Sequence, residues 1–124
     1  MRETKSLRMA IAAGGLLLLA LSQGAPAQDP AVVNAKTIRV KLENSRVRVL
    51  EAVLRPGDKE NLHSHPAYVI YVISGGKVRT HAVDGTTTET ELAAGDTIYR
   101  DPITHWAENV GTTTIRLVLV ELKT

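Results

Sequence analysis

Residues 57–76 read GDKENLHSHPAYVIYVISGG: two histidines one residue apart, a proline, then a run of β-branched and aromatic residues closed by two glycines. Successive side chains of a strand point to opposite faces, so His63 and His65 leave the backbone on the same side. Ala67, Val69, Tyr71 and Ile73 share that side if the strand runs on through Pro66. A third histidine, His105, arrives in GDTIYRDPITHWAENVG at 95–111, and a fold of short strands can return it to the first pair. Three neutral imidazole nitrogens suffice to hold a divalent cation, and they suit iron, zinc, nickel, copper, cobalt or manganese without choosing among them.

The start of the chain has a different character. Arg2, Lys5 and Arg8 precede the apolar run Met9–Ser22, and Ala25-Pro26-Ala27 supplies a small-x-small cleavage pattern. That order reads as a bacterial secretory signal peptide over residues 1–27. A membrane-crossing helix needs about 20 apolar residues, whereas this run is shorter and contains two glycines. The expected product is therefore periplasmic or secreted, a single domain over 28–124 with no stable membrane anchor. No cysteine occurs in the chain, which excludes disulfides and a lipidated cysteine.

Removing Arg2, Lys5, Arg8 and Glu3 with the leader reduces 15 basic and 13 acidic side chains to twelve of each. No basic cluster remains to follow a phosphate backbone, so nucleic acid is not an expected partner. A domain of this size builds one core and lies near the limit at which a metal or a second copy adds useful support.

Strand signals fill the rest. Alternating β-branched runs at Thr37–Leu42, Arg46–Leu54, Tyr68–Ile73, Lys77–Val83, Thr86–Leu92, Thr97–Arg100, His105–Val110 and Thr113–Leu122 are separated by glycine, proline and aspartate turns. Asp84-Gly85 reads as a two-residue hairpin. No sustained helical periodicity follows residue 28, so the class is all-β, a sandwich or a barrel. Tyr68–Ile73 and Leu117–Val120 are apolar on both faces. Either both faces are internal or a symmetric second copy covers one of them, and a homodimer is the expected cover.

The two histidine segments resemble the paired motifs of the cupin superfamily. Its first motif, Gly-x5-His-x-His-x3-Glu-x6-Gly, is met at Gly57, His63, His65 and Gly76. Its second, Gly-x5-Pro-x-Gly-x2-His-x3-Asn, is met at Gly95, His105 and Asn109, with Pro102 displaced and one residue missing between Gly95 and His105. The resemblance implies a jelly-roll β-barrel (a double-stranded β-helix), often dimeric, with a metal held inside by His63, His65 and His105. It also implies dioxygenase-type or isomerase-type chemistry on a small molecule.

Val69 stands where the motif has its glutamate ligand. A three-histidine centre without that carboxylate leaves the ion's charge uncompensated and favours a small anionic, chelating ligand. The alternative is a barrel whose metal site has degenerated, a non-catalytic ligand-binding or dimeric scaffold. Glu60, three residues before His63, is a candidate fourth ligand or an acceptor for a ligand's other ring nitrogen, although such a position is more often a solvated loop charge. Val69 and Tyr71 share parity with His63 and His65 and are the expected pocket residues. His81 alternates with Lys77 and Arg79 and is expected to face water, and Trp106 is expected to pack on the side opposite His105.

Overall fold

The β-branched runs form strands throughout residues 28–124, the part of the chain that the computed structural model describes; the expected signal peptide at 1–27 lies outside the described residues. They are β1 (Ile38–Glu43), β2 (Val47–Leu54), β3 (His63–His65), β4 (Tyr68–Ser74), β5 (Gly76–Ala82), β6 (Thr87–Leu92), β7 (Thr97–Arg100), β8 (Ile103–Asn109) and β9 (Ile115–Leu122). Among the described residues one short helix, α1 (Pro30–Val33), precedes them, with Asp29 capping its first turn by accepting from the Ala31 amide and Pro30 at its start. No described helix is long and apolar enough to cross a membrane.

The strands form two antiparallel sheets, a large one in the order β1-β2-β9-β4-β7 and a small one in the order β3-β8-β5-β6. The all-β jelly roll is as expected, but the sheets are not closed into a continuous hydrogen-bonded barrel. Their inner faces pack together instead. Leu50, Ala52, Tyr68, Ile70, Val72 and Leu119 of the large sheet bury with Ile38, and Leu54 and Ile115 meet Val78 and Ala107 of the small sheet.

Two local expectations need correction. The strand does not continue through Pro66: His63–His65 pairs with β8 in the small sheet, and Tyr68–Ser74 pairs with β7 and β9 in the large one. Proline has no amide proton for a ladder and suits this exposed crossing between sheets. The crossing resets parity, so Tyr68, Ile70 and Val72 point inward while Tyr71 and Ile73 are exposed. The β5–β6 hairpin is also one residue longer than Asp84-Gly85 alone. Bonds from Gly85 N to Ala82 O and from Ala82 N to Thr86 O enclose Val83-Asp84-Gly85. Only Gly85 takes a positive φ, 91°, and Asp84 accepts from the Thr86 amide.

The two-sided apolar pattern of β4 and β9 has two destinations. Its inner half packs against the small sheet. Its outer half forms a register row across all five strands, Leu42, Val49, Val120, Val69 and Tyr99, whose ends are exposed in the single chain.

A second row crosses the same sheet near one end of its inner face: Glu43, Arg48, Glu121, Tyr68 and Arg100, paired strand to strand. Charged residues inside a small sandwich need partners, and this row abuts the histidines.

Candidate metal centre

His63 and His65 project inward from β3, and His105 stands directly opposite His63 on β8. One ring nitrogen from each lies within 4.8 Å of the others. The ring centroids are 4.8, 4.9 and 5.4 Å apart and the planes lie at 72–88° to one another, so nitrogen edges rather than ring faces converge. This is a donor arrangement, not an aromatic stack.

The second ring nitrogens of His65 and His63 are engaged. His65 Nδ1 is 2.7 Å from Glu121 Oε2, both side chains being buried. A carboxylate accepts, so Nδ1 carries the proton and Nε2 is left bare. His63 Nδ1 lies 2.7 Å from the Asn61 carbonyl oxygen and 3.0 Å from Asn34 Nδ2. Two bare acceptors at 2.7 Å would repel, so Nδ1–H donates to Asn61, and Asn34 Nδ2 also donates to that carbonyl at 3.2 Å. His63 Nε2 is thereby bare as well. Burial, with His65 as a neighbour, pushes the His63 pKa down to about 4, and burial beside His63 and His65 pushes that of His105 down to about 3. Neutral imidazoles are the form a metal accepts.

Glu60 joins this group rather than pointing into solvent. Its Oε1 is 3.8 Å from His63 Nε2, and its side chain is buried. Its one side-chain hydrogen bond among the described residues comes from the Ala107 amide. Burial therefore raises its pKa to about 8. A buried carboxyl group without a cationic partner, beside bare imidazole nitrogens, is a donor set that fits a divalent cation.

These groups open onto a cavity of about 100 Å³. Its wall is mainly aliphatic, with Tyr68, Thr80, Thr90 and Arg100 as the further polar side chains. Tyr68 stacks on His65 at 4.4 Å and pairs in register with Arg100. Ile70 lines the cavity, whereas Val69 and Tyr71 do not. The expected pocket role of Val69 and Tyr71 is corrected by the crossing at Pro66, which turns both to the outer face. His81 does not simply face water: it stacks on Trp106 at 3.8 Å, with its Nε2 2.7 Å from Glu108.

His63, His65, His105 and Glu60 are thus brought together. Sequence reasoning missed Glu121, Arg48, Tyr68, Arg100 and Asn34. Glu121 had a signal, since it shares parity with Ile115, Leu117 and Leu119 and is a charged residue on an apolar strand face.

A family model described as "Cupin domain" matches residues 50–121. No curated protein sequence matches the chain. Among solved structures, a cupin domain from Bordetella pertussis is 26% identical with a TM-score of 0.65, over 70% of this chain and 92% of that one. An uncharacterized conserved protein with a double-stranded β-helix domain from Klebsiella pneumoniae is 30% identical with a TM-score of 0.53, over 67% and 72%. An RmlC-like cupin family protein from Methanocaldococcus jannaschii has 17% identity and a TM-score of 0.57, over 73% and 84%, a likeness of fold alone.

Proposed function

The chain belongs to the cupin family, and from that premise we propose that it holds a divalent metal through His63, His65 and His105, with Glu60 beside them, and acts on a small carboxylate-bearing molecule. The observation that carries this reading is the convergence of three neutral imidazoles on a point flanked by the uncompensated carboxyl group of Glu60. When bound, the metal supplies Lewis-acid polarisation of an oxygen ligand and stabilises developing negative charge.

The chain's own groups divide the remaining work. Aliphatic side chains make up most of the cavity wall, and a cavity of about 100 Å³ selects a small occupant. Arg100 offers a cationic, bidentate partner for a carboxylate at the edge of the cavity. Tyr68 lines the cavity with its ring stacked on His65, and burial pushes its pKa up to about 12, so its hydroxyl serves an occupant as a donor. The export of the protein is part of this proposal and is supported by residues 1–27 alone. Oxidation and isomerisation are the reactions that family membership suggests for such an occupant.

The rival reading, a scaffold with a degenerate site, drew its force from Val69. That residue faces away from the cavity, so its side chain marks no vacated ligand position. To test the proposal, cobalt(II)-loaded protein is titrated with pyruvate and with its uncharged amide while the visible cobalt spectrum is followed. Pyruvate should bind at least about tenfold tighter, by a charge-assisted contact that Arg100→Met removes without altering cobalt affinity. Absence of a cobalt spectrum would reject the metal, and equal binding of acid and amide would reject the carboxylate.

A further inference from the structure

The segment ahead of β1 reads in sequence as a polar lead-in and lies outside the matched region 50–121, yet it reaches both histidines of β3. Gln28 Oε1 accepts from the hydroxyl of Ser64, the residue between them, at 2.8 Å. Asp29 Oδ1 is 2.8 Å from Arg48 Nη2, and Arg48 Nη1 lies 3.8 Å from Glu121 Oε1, whose other oxygen takes the His65 proton. Asn34 Oδ1 accepts from the Asn61 amide at 2.6 Å, Asn34 Nδ2 donates to the Asn61 carbonyl, and Asn61 Nδ2 returns a bond to Val33 O at 2.7 Å. That clamped carbonyl is the acceptor for His63 Nδ1.

We propose that residues 28–34 form a positioning strap for the metal centre, in which Asp29 sets His65 through Arg48 and Glu121 while Asn34 sets His63 through Asn61. The inference rests on the three-histidine reading of the centre. Its physical basis is competition for buried partners. The Arg48 guanidinium stands among Asp29, Glu43 and Glu121, and its Nε has no hydrogen-bond partner among the described residues. Asp29 draws it to one side and leaves Glu121 Oε2 to His65. Without that charge, Arg48 closes on Glu121, weakens the carboxylate as an acceptor, and His65 loses both its fixed tautomer and part of its donor strength. At the other end, removal of the Asn34 amide frees the Asn61 backbone to rotate its carbonyl away from His63.

The test uses protein expressed from the full 124-residue chain, as wild type, Asp29→Asn, Asn34→Ser and, as a control, Glu51→Gln, which breaks the exposed Arg39–Glu51 pair on the outer face. Zinc affinity is read by competition with a chromogenic chelator, and imidazole ¹⁵N shifts of the metal-free proteins report each histidine's tautomer. Asp29→Asn and Asn34→Ser should each weaken zinc binding by about threefold to tenfold, below the effect expected for a ligand's direct partner, while Glu51→Gln leaves it unchanged. Asp29→Asn should move the His65 nitrogens and not those of His63, and Asn34→Ser the reverse. A general loss of stability would not produce that residue-specific exchange. Zinc affinities within twofold of wild type for both strap variants, or unaltered ¹⁵N shifts, would overturn the proposal. If wild-type protein binds no zinc, the metal reading fails, and the ¹⁵N shifts alone decide whether the strap sets the tautomers.

Discussion

His65 and Glu121 are 56 positions apart in sequence and share a 2.7 Å hydrogen bond between two buried side chains. The bond crosses between the sheets, from β3 of the small one to β9 of the large one, and it fixes which nitrogen of His65 is bare. Glu121→Gln keeps the shape and an acceptor but removes the charge. Metal affinity should fall by about tenfold to a hundredfold, the usual effect of losing a histidine ligand's carboxylate partner. Chelator competition measures it, and an unchanged dissociation constant would show that Glu121 does not act on the ligand.

Val69→Glu restores the glutamate of the sequence motif and should add nothing to metal binding, because position 69 faces outward in the row with Val120 and Tyr99. Glu60→Gln should weaken binding by at least about tenfold, since it removes the one carboxylate beside His63 Nε2. A tighter complex in Val69→Glu would mean that β4 presents its odd positions to the cavity.

Metal-free protein should be most stable near pH 6.5. His63 and His105 have pKa values lowered from 6.5 to about 4 and about 3, so the unfolded chain takes up protons first and stability is lost as pH falls below 6.5. Glu60 acts in the opposite sense. Its pKa is raised from 4.5 to about 8, so its contribution is full below 4.5 and is lost as pH rises through 8. Between 4.5 and 6.5 two histidines outweigh one glutamate, giving a net rise of about 1.4 kcal/mol per pH unit; above 6.5 Glu60 acts alone and the slope reverses. Urea midpoints of chelator-treated protein across pH 4.5–8 test this, and a midpoint that climbs steadily to pH 8 would contradict it.

Gly75→Ala should destabilise the fold. Gly75 lies where the chain passes from β4 to β5, and an added Cβ would fall 1.9 Å from the Leu92 carbonyl oxygen. Backbone must move to relieve that overlap, at a cost of about 1–3 kcal/mol or more. A melting temperature equal to wild type would show that the crossing is looser than this geometry.

The strands were legible because β-branched alternation and glycine or aspartate turns are local signals, and the family motifs marked His63, His65 and His105. The outward turn of Val69 and Tyr71 was not legible, since Pro66 permits either a continuous strand or a change of sheet and only tertiary packing selects the second. Glu60 read as a loop charge because nothing local reveals that β8 covers it with the Ala107 amide. Asp29, Arg48 and Glu121 come together only through the register of β2 with β9 and the docking of α1, relationships that no periodicity encodes.

The most direct test of the central claim is the metal content of wild-type protein, purified without a histidine-rich tag, against a His63→Ala/His105→Ala double variant whose fold is checked by circular dichroism. Wild type should carry about one equivalent of a divalent metal, native or after reconstitution, and the folded double variant none. Wild type that stays metal-free after reconstitution, or a double variant that retains its metal, would contradict it.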